Sequence, residues 1–336
     1  MKPPVLFSGA TGFLGAELAR RLAGRGHALH ALGRAGSDRS AVSGLDITWH
    51  AGDLRDAASV ERAVASVCDL AERPWIVHAG ALISYQTRDG ELAREINVEG
   101  TRRMLDACLR HPVGRVLHVS SVVGVGPAFD GATLDEDSEY RGDLLRCDYM
   151  TTKRRAEELA LEAADRLDLV VVCPGAIFGA SARPSNTQRV LKMVARGRTG
   201  PIPILLAPPG SQSVVGLEDC AEGCVLALEK GARGRRYLLV ESVWSHREMI
   251  ALMAKKCGRR APLGVPRWIW GSVEAASGWL DGWIASEFFT PQTMRLARSH
   301  FRTSGERARR ELGWRPEPFE QVIERMFRGL SARDPE

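Results

Sequence analysis

The sequence predicts an α/β protein, a doubly wound parallel sheet over the first half of the chain with a smaller interleaved lobe after Pro174. Two observations predict it. Short apolar or β-branched runs alternate with longer stretches of helical periodicity, the pattern of successive βαβ units. The first such run, Val5-Leu6-Phe7-Ser8, passes straight into Gly9-Ala10-Thr11-Gly12-Phe13-Leu14-Gly15, a glycine-rich turn that opens a helix.

Taken in order, strands are expected at Val5 to Ser8, Ala28 to Leu32, Ile47 to His50, Trp75 to Ala79, Arg115 to Ser120 and Leu169 to Cys173. Helices are expected between them near 13–26, 56–67, 90–110 and 149–167, which makes six parallel strands. Beyond Pro174 the pattern loosens into Gly/Pro-rich segments such as Gly197 to Gly210, with a helix from Glu218 to Lys230 and a strand-like Tyr237 to Val240. Residues 1–174 therefore read as one domain, and 175–336 as mainly a substrate lobe with some segments returning to the sheet. The run Val265 to Phe289 carries Trp268, Trp270, Trp279 and Trp283; it is too polar and glycine-interrupted to span a bilayer and is expected to pack the smaller lobe.

With 336 residues, 44% of them apolar, the chain can bury a large core. Its net charge of +5 comes from interleaved acids and bases, so nucleic acid is not an expected partner. Met1 to Pro4 runs into a strand without a signal-peptide core, and the seven cysteines lack paired spacing; a cytoplasmic protein with reduced thiols and no metal is expected. Cys220 and Cys224 stand one helical turn apart, but no histidine follows at ligand spacing.

Glycines at 9, 12 and 15 have a physical purpose. One makes a tight turn, one lets backbone approach a pyrophosphate, and one allows close helix–strand packing, while the helix N-terminus offers N–H donors. This GxxGxxG spacing resembles the short-chain dehydrogenases/reductases, and further matching segments follow in family order over nearly the whole chain. Asn97-Val98-Glu99-Gly100-Thr101, Val214 to Ala221 and Leu312-Gly313-Trp314-Arg315-Pro316 resemble segments of the extended subgroup. The resemblance implies a Rossmann-type NAD(P)-binding domain in which Gly9, Thr11, Gly12, Phe13, Leu14 and Gly15 cradle the cofactor. It also implies that Asp53 and Leu54 meet the adenine, Ala79, Gly80 and Ala81 line the cofactor's middle, and Asn97 braces the strand ends. Pro174, Gly175 and Ile177 would contact nicotinamide, although Cys173 replaces the family's usual arginine. His78, alone on its strand, is read as a packed histidine.

Cofactor choice turns on the end of the second strand, where an acid would hold ribose hydroxyls and repel a 2′-phosphate. Gly33-Arg34 stands there instead, with Arg39 nearby, so NADP(H) is favoured and NAD(H) is the alternative.

Tyr149 and Lys153, at i and i+4, share a helical face. A phenol with pKa near 10 exchanges protons poorly at neutral pH unless a nearby ammonium favours its anion, and Lys153 is expected to lower it by about 2–3 units. The resemblance implies that Tyr149 exchanges a proton with the substrate oxygen, Lys153 also holds the nicotinamide ribose, and Ser121 binds the carbonyl, with Ser120 as the alternative serine and a cofactor contact. The implied activity is reduction of a ketone or aldehyde, most similar to dihydroflavonol 4-reductase-like proteins; 3β-hydroxysteroid dehydrogenase-like oxidation and nucleotide-sugar epimerisation or dehydration are the rivals. Gly126 stands where plant dihydroflavonol reductases carry a flavonoid-binding side chain, which argues against a flavonoid. An apolar small-molecule substrate and a homodimer are favoured; Arg154, Arg155, Glu157 and Glu158 are read as one charged, solvent-facing side of the catalytic helix.

Overall fold

The computed structural model describes residues 2–129, 131–181, 185–199, 203–280 and 289–331. The first half contains β1 (Val5–Ser8), β2 (Leu29–Gly33), β3 (Ile47–Ala51), β4 (Trp75–His78), β5 (Arg115–Val119) and β6 (Leu169–Pro174). Between them run α1 (Phe13–Gly24), α2 (Ala57–Cys68), α3 (Gly90–Ala93), α4 (Gly100–Arg110) and α5 (Asp148–Ala163). The second half adds β7 (Ala176–Phe178), β8 (Leu206–Ala207), β9 (Ser211–Gly216), β10 (Arg236–Leu239), β11 (Ser242–Ser245) and β12 (Leu263–Gly264). Its helices are α6 (Asn186–Ala195), α7 (Leu217–Lys230), α8 (His246–Lys256), α9 (Arg267–Leu280), α10 (Pro291–Arg298), α11 (Glu306–Leu312) and α12 (Phe319–Ser331).

The main sheet is parallel, in the order β10-β6-β5-β4-β1-β2-β3. Strand direction of travel reverses at β1, so a crevice opens beyond the carboxyl ends of β1 and β4, where doubly wound sheets bind ligands. Alternation along β1 shows how the sheet is covered. Val5 and Phe7 enter the core packed with Leu18, Leu22 and Leu228, while Leu6 enters the opposite core with Val64, Ile76 and Val116.

Seven strands stand where six were expected, because the strand-like Tyr237 to Val240 is one of the segments of the second half that return to the sheet. Arg236 to Leu239 pairs in register with Val171 to Pro174 and completes the sheet edge. The run is too short to carry its own periodicity; α7, packed on α1, returns the chain to the open side of β6. The helix expected over 90–110 is divided by a π-helical turn at Arg94–Glu99, where Thr101 Oγ1 donates to the Asn97 carbonyl at 2.6 Å.

In the smaller lobe, β9 pairs parallel with β7 and antiparallel with β11, and Phe178, Met253, Phe319 and Ile323 share its core. β12 pairs with β8, and α9 packs on α10. Trp270 Nε1 donates to the Met294 carbonyl at 2.9 Å, so this tryptophan does pack the lobe, whereas Trp268 is exposed. Trp283 and the side chain of Trp279 lie outside the described residues.

The C-terminal segment closes on the main sheet with Ala308, Leu312 and Trp314 in one core with Tyr237 and Leu239 of β10. α11 ends at Gly313, whose φ of 69° is the left-handed conformation of a helix C-terminus. That turn sends Trp314 inward, fully buried, with Nε1 donating to the Asp219 carbonyl at 2.8 Å. Trp314→Ala should lower unfolding free energy by about 3–5 kcal/mol, read from urea denaturation; a loss under about 1 kcal/mol would mean that the segment docks without it.

Candidate active site

The crevice at β1 is shaped by glycines that admit no side chain. Gly9 has φ +82°, and a Cβ there would lie 2.7 Å from the Gly80 nitrogen. A Cβ on Gly15 would come 2.0 Å from the Gly9 carbonyl oxygen. α1 therefore starts against the turn itself, and Gly12 offers no side chain to cap it, so the first-turn N–H groups are left for a ligand. A cavity of about 1910 Å³ spreads from this turn to the second lobe. It is about twice the upper range for a single drug-sized ligand, which leaves space for a dinucleotide and a second molecule.

Gly9, Thr11, Gly12, Phe13, Leu14, Gly15, Arg34, Asp53, Leu54, Ala79, Gly80, Ala81, Ser120, Ser121, Tyr149, Lys153, Pro174, Gly175 and Ile177 all line that cavity. Asn97 does not. It stands behind the wall, where Oδ1 accepts from Leu82 N at 2.7 Å and Nδ2 donates to Leu82 O at 3.0 Å and Thr152 Oγ1 at 3.1 Å, clamping the segment after β4. His78 is packed below the floor between the Ser8 and Thr101 hydroxyls, and its ring is driven down to about 3 by burial and then by Lys153.

At the far end, Arg34 is exposed beside Ser37 and Trp49 and makes no ion pair among the described residues. The Arg39 guanidinium stacks over Trp49, 4.0 Å from the ring centroid. The Asp53 carboxylate takes two bonds from the Arg55 guanidinium, at 3.1 and 2.9 Å, and that pairing holds it below its ordinary pKa. Trp49, which closes against Gly33, is a wall residue that spacing did not reveal.

At the other end of the cradle, the Tyr149 phenol stands beside the Ser121 hydroxyl, and Tyr85 packs edge-on against it with ring centroids 5.5 Å apart. Burial pushes the Tyr149 phenol up to about 12, against the pull of the Ser121 hydroxyl. This corrects the expected lowering by Lys153: the lysine Nζ donates to the Val119 carbonyl at 2.7 Å, and desolvation outweighs any help it gives the phenolate. Lys153 is itself brought down to about 8 by burial, which the neighbouring Glu157 carboxylate opposes. Tyr85 follows β4 in a loop where no motif marks it.

Glu157 also departs from expectation. Arg154, Arg155 and Glu158 do form an outward ion-pair group, but Glu157 is completely buried on the same face of α5 as Tyr149 and Lys153. Its carboxylate accepts from Ser120 Oγ at 2.5 Å, Arg236 Nη1 at 2.7 Å and the Cys173 thiol at 3.4 Å. Cys173 stands where the family it resembles usually has an arginine, and the cation of this pocket comes from Arg236 on β10. Sequence spacing offered one signal, the i, i+4, i+8 series 149, 153, 157. Glu157→Ala should cost about 3–5 kcal/mol, because it leaves a buried guanidinium unpaired, as measured by urea denaturation. Unchanged stability would mean that Arg236 finds another partner or water.

The cavity wall beyond Tyr149 comes from the second lobe and is mainly apolar, including Met249, Val265, Trp270, Leu296 and Phe301. Among the described residues, no three His, Cys, Asp or Glu side chains converge as a metal site, and Cys220 and Cys224 are both buried in the core.

Comparison with known proteins agrees with this architecture. Residues 5–239 match the NAD dependent epimerase/dehydratase family. The chain is 33% identical over 321 residues to sterol demethylase protein B of Methylococcus capsulatus, covering 93% of each. It is 30% identical over 275 residues to a putative dihydroflavonol 4-reductase of Synechocystis, covering 78% of this chain and 75% of that one. The crystal structure of gox2253 superposes with a TM-score of 0.83 at 26% identity, covering 99% of both chains. The glycine cradle, the reversal at β1 and these matches together make the chain a member of the NAD dependent epimerase/dehydratase family, the extended short-chain dehydrogenases/reductases.

Proposed function

We propose that the protein is an NADP(H)-dependent oxidoreductase that reduces a ketone on a bulky apolar molecule to a secondary alcohol, with Tyr149 as the proton donor. The observation that carries this reading is a buried phenol beside Ser121, at the seam between the glycine-lined cradle and an apolar chamber. Gly9, Gly12, Gly15 and the first turn of α1 would hold the pyrophosphate, and Arg34 the 2′-phosphate. Lys153, Pro174, Gly175 and Ile177 would lie along the nicotinamide end.

The bound cofactor supplies the hydride that goes to the carbonyl carbon. Ser121 and Tyr149 bind the carbonyl oxygen between their hydroxyls, and the Tyr149 proton passes to that oxygen as negative charge develops. A phenol kept protonated by its burial suits this direction, since it enters the reaction as a donor. Lys153, still charged below about pH 8, favours the phenolate left behind. Its other neighbours leave it that role: burial keeps the His78 and His118 rings neutral, and Glu157 is the facing anion.

A sterol-type alcohol oxidation on the same residues is the second reading, favoured by the 33% identity to sterol demethylase protein B. An apolar chamber fits a ring system of that kind better than the hydroxyls of a nucleotide sugar.

Tyr149→Phe should lose about 10²–10⁴-fold in kcat on an accepted steroid or other bulky cyclic ketone, with NADPH binding by calorimetry unchanged; full turnover would remove Tyr149 from the chemistry. For Arg34→Ala, titration with both cofactors should show NADPH weakened at least about tenfold and NADH little affected; equal losses would assign Arg34 no part in cofactor choice. In the reducing direction kcat/KM should be level below about pH 8 and fall about tenfold per unit above it, as Lys153 loses its proton. A profile still level at pH 10 would exclude the lysine charge from the step.

A further inference from the structure

Four of the eight large exposed apolar side chains among the described residues stand at the outer rim of the chamber. Trp268 is 76% exposed and Leu263 61%, with Ile204 and Ile269 beside them. Leu263 and Ile269 also line the cavity, so the rim joins its interior to the protein surface. The backbone leaves Trp268 no inward option. It is two residues from Trp270 on α9, about 200° around the helix, and Trp270 is the one tied to Met294.

Several arginines stand close to this rim. Arg196 and Arg198 line the same cavity, the Arg259 side chain passes Gly197 with its Nε donating to the Ala195 carbonyl at 3.0 Å, and the Arg247 side chain passes Gly264, next to Leu263. With Arg260 they make five guanidinium groups that form no ion pair among the described residues, although arginines elsewhere are commonly paired. Carboxylates of the adjoining helices are already committed, Glu248 to Ser245 and Glu274 to Arg295 and Arg298.

We propose that this rim docks the protein on the surface of an anionic lipid bilayer, with Trp268 and Leu263 entering the headgroup–acyl boundary and the arginines on lipid phosphates. An exposed tryptophan within a basic ring has the chemistry of a membrane interface. No helix among the described residues is long and apolar enough to cross a membrane, so the contact is peripheral. The chamber then opens toward the phase in which an apolar substrate dissolves. A second copy of the chain is a poorer occupant, since a two-fold contact at this face would bring the guanidinium groups against their own kind. The inference goes beyond the proposed reaction and is read without turnover.

The test is cosedimentation of the full chain with vesicles of phosphatidylcholine alone or mixed with phosphatidylglycerol. Binding to the anionic vesicles, weakened by salt, is expected. Leu263→Ser with Trp268→Ser, and separately Arg259→Glu with Arg260→Glu, should each weaken it at least about tenfold while the melting temperature is kept. Failure of the wild-type chain to bind anionic vesicles, or equal binding by both double variants, overturns the proposal. So does a wild-type dimer that ignores vesicles and becomes monomeric in the Leu263→Ser/Trp268→Ser variant, which would assign the rim to a second copy.

Discussion

The contact between Gly15 and the Gly9 carbonyl is the constraint on which the rest depends. With a Cβ-to-oxygen separation of 2.0 Å available, no residue but glycine lets α1 leave β1 so abruptly. That departure keeps the crevice at the strand reversal open and turns the unsatisfied N–H groups of the first turn toward it. Gly9 adds a second requirement, because its positive φ and its closeness to Gly80 bring the ends of β1 and β4 together. A floor of backbone results, wide enough for phosphates and too shallow for side chains.

The wall opposite is a single helix, α5, anchored from below. Tyr149, Lys153 and Glu157 succeed one another at helical spacing, one turn deeper each time, and their partners change accordingly. The phenol meets a serine at the cavity, the ammonium meets the Val119 carbonyl, and the carboxylate meets Ser120, Cys173 and Arg236 in the core. Glu157 therefore ties α5 to β5, β6 and β10 at once. Its negative charge also opposes the loss of the Lys153 proton, so an ion pair that holds the sheet edge also acts on the electrostatics of the site. β10, contributed by the second half of the chain, takes part in positioning groups of the first.

The second lobe has a different physical character. Its wall is side chain where the cradle is backbone, and apolar where the cradle is polar. Tyr85, from the loop after β4, packs on Tyr149, while Trp270 and Met294 hold α9 and α10 together in the chamber wall. The proposed chemistry falls at the seam of these two surfaces.

What could be read from the chain alone was whatever depends on residues near one another in sequence. The glycine turn, the first six strands and the Tyr149–Lys153 pair are local patterns, and the structure has the turn after β1, the six strands in one sheet and the pair on α5. Tertiary structure decided the rest, since burial and pairing are properties of distant segments brought together. It made Glu157 a core carboxylate although its neighbours Arg154, Arg155 and Glu158 face outward, and it decided that Arg236 to Leu239 is a segment of the second half that forms the sheet edge. It also set the direction of the Tyr149 shift, because desolvation depends on what covers the phenol and helical spacing carries no record of that.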